Sequence, residues 1–133
     1  MVLANPFDAL AGGRYVRLST FRRSGRAVPT PVWFARVGDN LCAVTGRNTG
    51  KAKRIRNNPG VAIAPSDFRG RPKGRDLRAV ARLTDERNGG PADRALRNKY
   101  GWQYRVFEFV EGLLGNAEDL VFLELRPPAD KEE

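Results

Sequence analysis

The residues Thr45-Gly46-Arg47-Asn48-Thr49-Gly50-Lys51-Ala52-Lys53-Arg54 have the types and spacing of an anion-binding segment. A strand end, a Gly-containing turn and the start of a basic helix follow one another there. Asn48 and Thr49 are both good N-caps, so the free N–H groups and the positive dipole end of that helix point back toward the loop. A phosphate suits such a position, with Lys51, Lys53 and Arg54 around it. The same residues also suit a solvated basic helix whose apolar stripe, Ala52 and Ile55, merely docks on the core.

Two other stretches carry chemical possibilities. Ala27-Val28-Pro29-Thr30-Pro31-Val32-Trp33-Phe34 offers a flat aromatic, β-branched walls and backbone groups freed by prolines, a surface for a planar heterocycle. By composition alone the stronger reading is an edge strand with Trp33 in the core or in a dimer interface. Ser66-Asp67-Phe68-Arg69-Gly70-Arg71-Pro72-Lys73-Gly74-Arg75 is a basic, Gly-rich loop that either grips phosphate or carboxylate groups or is a mobile turn. No catalytic pair can be picked out: the chain has no histidine, its acidic residues are scattered, and Cys42 alternates with core positions. The imidazole-based metal, haem and acid–base chemistries are thereby excluded. A catalysed reaction would then fall to a bound cofactor.

The elements that must position these groups are short. Asn5 caps a helix over Pro6 to Ala11 that stops at Gly12-Gly13. Arg14 to Arg23 is a strand with Val16, Leu18 and Thr20 on one face and Tyr15, Arg17, Ser19 and Phe21 on the other. Ser24-Gly25 turns it into a second strand, Ala27 to Val37, which ends at Gly38-Asp39-Asn40. Pro29 and Pro31 each remove a ladder donor, so this strand is at an edge, bulged, or facing something other than a strand. Further strands are expected at Leu41 to Thr45, Gly60 to Ser66, Asp76 to Thr84 and Leu120 to Leu125, with helices over Thr49 to Asn57, Pro91 to Tyr100 and Gln103 to Leu114. The last helix carries Val106, Phe107, Val110, Leu113 and Leu114 on one stripe. The sum is a mainly β protein with flanking helices, a small, partly open β-barrel. It forms one domain over 1–126, followed by a disordered acidic tail, 127–133.

Charge is unevenly spread. Residues 14–82 hold 17 Lys/Arg against 3 Asp/Glu, whereas 83–133 hold 7 against 11. A net charge of +9 fits nucleic acid, an anionic membrane or a polyanionic small molecule. Arginine outnumbers lysine 19 to 5, which also fits an Arg-rich solvated surface. No exposed-aromatic series is interleaved with the basic residues, which argues against nucleic acid as partner. The absence of a long apolar run or a secretory leader leads us to expect a soluble, cytoplasmic protein without a membrane partner.

Several blocks carry a family resemblance. Tyr15-Val16-Arg17-Leu18-Ser19-Thr20-Phe21-Arg22-Arg23-Ser24-Gly25, Thr30-Pro31-Val32-Trp33-Phe34, Thr45-Gly46, Lys51-Ala52-Lys53-Arg54-Ile55, Ala64-Pro65 and Arg69-Gly70 resemble the split β-barrel flavin/deazaflavin oxidoreductases. These are relatives of pyridoxamine 5'-phosphate oxidase, here of the branch that uses coenzyme F420. The resemblance covers residues 14–82; residues 83–133 match in outline.

It implies a six-stranded split β-barrel of the FMN-binding kind, a homodimer with cofactor sites at the subunit interface, and hydride transfer to a small unsaturated or heteroaromatic substrate. It places Pro31, Val32 and Trp33 along the cofactor ring, Thr45 and Gly46 by its ribityl and phosphate region, and Lys51, Lys53 and Arg54 on the phosphate. Coenzyme F420 is favoured over FMN because its acidic tail gives the loop at Arg69 to Arg75 a ligand. A non-catalytic cofactor carrier of the same fold is the competing class. Many relatives have Ala-Pro-Cys-Asp where this chain has Ala64-Pro65-Ser66-Asp67, so no thiol acts there. Substrate protonation falls to solvent, Arg47 or Tyr15.

Overall fold

The computed structural model describes residues 5–10, 12–84, 90–113 and 120–128, with the side chains of 108–113 left aside. Asn5 opens the first helix, its side-chain oxygen accepting from the Phe7 N–H at 2.8 Å. Pro6–Leu10 is a 3-10 helix that buries Phe7 and Leu10; Ala11 lies outside the described residues.

The sheet strands are β1 (Tyr15–Phe21), β2 (Ala27–Trp33), β3 (Ala35–Val37), β4 (Asn40–Gly46), β5 (Gly60–Ser66), β6 (Leu77–Leu83) and β7 (Leu120–Arg126). Helices α1 (Gly50–Asn57), α2 (Pro91–Tyr100) and α3 (Trp102–Leu113) flank them. The strands form one sheet in the order β2-β1-β5-β6-β7-β4-β3, antiparallel throughout. The six expected strands become seven because the one expected over Ala27 to Val37 breaks at Phe34. Before the break it pairs with β1, and after it with β4, at the opposite end of the order. One bent segment therefore joins both ends of the sheet and curls it into a barrel.

Val16, Leu18 and Thr20 point inward and are buried, as their alternation predicts. They meet Leu41, Ala43, Val61, Ile63, Leu123 and Leu125 in the main core. Each large aliphatic side chain buried there is worth about 1.5–3 kcal/mol. A second cluster lies outside the barrel, where α2 and α3 lay Leu96, Tyr100 and Tyr104 over Ala35, Cys42 and Phe122. Val106, expected on the buried stripe of α3, is 50% exposed and points away from that cluster. Phe107 of the same stripe does pack against that cluster, beside Tyr104.

Pro127 and Pro128 extend beyond β7 without regular structure, and 129–133 of the expected tail fall outside the described residues. Leu114 of the expected helix also does. Among the described residues no helix is long and apolar enough to cross a membrane.

Candidate functional site: a split barrel wall beside a cationic helix start

The break at Phe34 leaves a gap in the barrel wall. β3 registers with β4 through Ala35 opposite Cys42 and Val37 opposite Asn40. Continuing that register would set Trp33 against Val44, Val32 against Thr45 and Pro31 against Gly46. Those rungs do not form: β2 is laddered only to β1, and from Ala43 to Gly46 β4 is laddered only to β7. Pro31, Val32 and Trp33 thus lie on one lip of the split, and Thr45 and Gly46 on the other. Pro29 and Pro31 occupy this edge without a hydrogen to give, which keeps another strand from closing it. Of the readings open for these prolines, the edge strand is realised.

Side chains alternate across the lips. Val32 and Thr45 turn into the barrel and are buried, whereas Trp33 turns outward and is half-buried. The Trp33 indole stacks on Tyr100, with ring centroids 4.6 Å apart and planes 8° from parallel. Tyr104 and Phe107 flank it at 6.5 and 5.8 Å. Trp33 is therefore part of the second core as well as of the lip.

At the top of β4, the Thr49 side chain caps α1 by accepting from the Ala52 N–H at 3.2 Å and donating to the Gly46 carbonyl at 2.9 Å. The N–H groups of Gly50 and Lys51 have no acceptor within the helix. Ala52 and Ile55 form the buried face, as the docking stripe requires. Lys51 and Arg54 stand three apart and share a flank of the helix, whereas Lys53 lies about 200° round from Lys51 and is exposed. The structure brings Lys51 and Arg54 together and turns Lys53 away from them.

Lys51 is half-buried rather than solvent-facing. That burial, followed by the charge of Arg54, holds its ammonium pKa below the usual lysine range. Arg54 Nε donates to the buried Thr20 hydroxyl at 2.7 Å. Its guanidinium folds back over the first turn, so a Cβ added at Gly50 would lie 2.8 Å from Nη1. Glycine at that position leaves room for Arg54 beside the free N–H groups.

The basic loop is an ordered turn, not an open one. Asp67 accepts from the backbone N–H groups of Arg69 and Arg71 at 2.9 Å each and from Arg71 Nε at 2.9 Å. The Arg71 backbone bond leads in holding the Asp67 carboxyl below the usual range. Gly70, at φ +84°, sits against Pro31, where a Cβ would come within 3.2 Å of the proline Cδ. The loop thus braces one lip of the split. Arg69 stacks over the exposed Phe68.

The remaining candidates are placed as follows. Tyr15 registers between Trp33 and Ser66 on the outer face of β1. Arg47 is exposed, its carbonyl accepting from Arg56 at 3.0 Å. Cys42 is buried in the second core with its thiol 3.8 Å from the Ala92 carbonyl. Sequence reasoning missed a cleft of about 610 Å³ between the β1–β2 hairpin and α1, lined by Arg22, Arg23, Arg54, Asn57 and Asn58 among others. The only sign of it in the sequence was the arginine pair beside a hairpin turn.

No protein-family model and no curated protein sequence matches the chain. Solved structures do. An F420 reductase superposes with a TM-score of 0.60 at 21% identity, covering 96% of this chain and 97% of that one. The heme storage protein HutZ from Vibrio cholerae matches at TM-score 0.60 and 17% identity, covering 97% and 92%. A Listeria innocua protein provisionally described as a pyridoxamine 5'-phosphate oxidase matches at 0.58 and 14%, covering 92% and 90%. The fold is therefore the split β-barrel of the pyridoxamine 5'-phosphate oxidase-like proteins, as the sequence resemblance implies.

Proposed function

We propose that this chain is a deazaflavin-dependent oxidoreductase that binds coenzyme F420 and transfers a hydride to a small unsaturated or heteroaromatic substrate. The observation that carries the reading is the meeting of an unpaired split in the barrel wall with a desolvated cationic helix start. The likeness to an F420 reductase over nearly the whole of both chains supports it.

The residues present fit such a cofactor. Pro31 and Gly46 leave the mouth of the split free of bulky side chains, and edge carbonyls and N–H groups line it. Lys51, partly desolvated, and Arg54, held by Thr20, sit beside free helical N–H groups, an arrangement that a phosphate would complete. A bound deazaflavin supplies the hydride. The protein's part is to hold the phosphate at Lys51 and Arg54, to orient the ring between the lips, and to exclude water with the help of the loop braced on Pro31.

Some neighbours of this fold are heme proteins by description. The heme reading finds neither an imidazole nor an accessible thiolate here: the chain has no histidine, and Cys42, the single cysteine, is buried in the second core. FMN shares the ring, the ribityl chain and the phosphate, and is the alternative cofactor.

The test is titration with F420 and with FMN in a Trp102→Phe variant, which leaves Trp33 as the sole indole. Saturable quenching by F420 at lower concentration than by FMN is expected. Quenching by neither overturns the reading.

A further inference from the structure

A cleft of about 610 Å³ lies beyond the split, between the tip of the β1–β2 hairpin and the last turns of α1. Three arginines, Arg22, Arg23 and Arg54, line it with Asn57 and Asn58. Among the described residues none of the three pairs with a carboxylate, although arginines elsewhere on the surface do so at Asp8, Asp67, Asp76 and Glu124. Arg54 is pinned by Thr20 at 2.7 Å, so part of the charge is set in place before any ligand arrives. Gly25, at φ +92°, makes the tight turn that brings Arg22 and Arg23 to the same mouth. The Gly25 N–H donates to the Arg22 carbonyl at 2.8 Å and closes that turn.

Like charges gathered without counter-charges repel, and the arrangement is sustained at less cost when an anion binds. The volume of about 610 Å³ is roughly twenty times the share of one water in the liquid. Three forked donors around such a space match an anion with two or more charged groups better than a single small one.

We propose that this cleft is an anion subsite for a small multiply charged oxyanion, either a diphosphate group or a polycarboxylate. It is distinct from the phosphate position at the first turn of α1 and goes beyond the cofactor reading. Arg54 borders both, which lets one long anionic ligand reach from Lys51 to the hairpin.

The experiment is titration of the full chain with inorganic pyrophosphate, and separately with citrate, at constant ionic strength. Amide shifts report the place and calorimetry the affinity. Saturable shifts at Gly25, Asn57 and Asn58 are expected. The Arg22→Ala/Arg23→Ala variant should lose about tenfold in affinity at an unchanged melting temperature, because both side chains are exposed. Lys51→Ala should change the affinity by less than about threefold. Whichever of the two probes binds more tightly identifies the group the cleft prefers. Wild-type affinity in the double variant, a loss confined to Lys51→Ala, or shifts that never saturate would each overturn the subsite. F420 binding at the split can fail in a separate titration without touching this result.

Discussion

The Tyr100 phenol replaces the strand partner that Phe34 loses at the break. The Phe34 N–H donates to the Tyr100 hydroxyl at 3.0 Å. The phenol proton is shared between the carbonyls of Phe34 at 2.8 Å and Arg14 at 2.6 Å. Lys99 adds a bond to the Phe34 carbonyl at 2.9 Å and rests 3.5 Å above the Phe34 ring. The end of α2 thereby satisfies the backbone at the point where one strand leaves the first sheet edge for the last.

Tyr100→Phe removes the oxygen but keeps the ring stacked on Trp33. It leaves the buried Phe34 N–H without its acceptor, and we expect a loss of about 1–3 kcal/mol of stability. Urea unfolding followed by tryptophan emission measures it. An unchanged midpoint would show that the bend does not depend on the phenol.

The pH dependence of stability should carry the mark of Lys99. Burial, then the nearby Arg14 charge, pulls its pKa down to about 8 in the fold from the 10.5 of a free side chain. Between those values the unfolded chain holds a proton that the folded chain has released, so stability rises with pH from about 8 toward 10.5. Tyr100 acts oppositely, but only above its ordinary 10.0, because burial raises its pKa to about 12. Thermal melts between pH 7 and 9.5 stay below the tyrosine window; Lys51, depressed in the same direction, adds to the slope, and the Lys99 share is the part that Lys99→Met removes.

The two lysines of α1 should differ in cofactor binding. Lys51→Ala should weaken F420 affinity about tenfold, and Lys53→Ala less than about twofold, since only Lys51 shares the flank with Arg54. Affinity in the wild type should also fall as pH rises through the depressed Lys51 pKa, because the neutral amine no longer attracts the negative charge of the phosphate. Equal losses in the two variants, read by fluorescence titration, would count against this phosphate position.

The free edge of β2 and the open split lead us to expect a homodimer that covers them. Sedimentation at micromolar concentration should give twice the chain mass of 14.8 kDa. A monomer would contradict a cofactor site completed by a second subunit.

Much of this protein is legible in its sequence because the signals are local. Alternation at Val16, Leu18 and Thr20 marks a half-buried strand, Thr49 caps its helix through its own side chain, and Gly101 at φ +59° ends α2 where the sequence places a stop. Prolines at 29 and 31 limit their strand to an edge, a bulge or a non-strand neighbour before any partner is known. What the chain order cannot express is which edges meet. The break at Phe34 depends on Tyr100 and Lys99, 66 and 65 residues away. Whether Lys51 is wet or desolvated, and whether Trp33 faces solvent or Tyr100, depends on burial that exists only once the sheet has curled. Spacing along a helix or strand determines the faces, and tertiary packing alone decides what each face is set against.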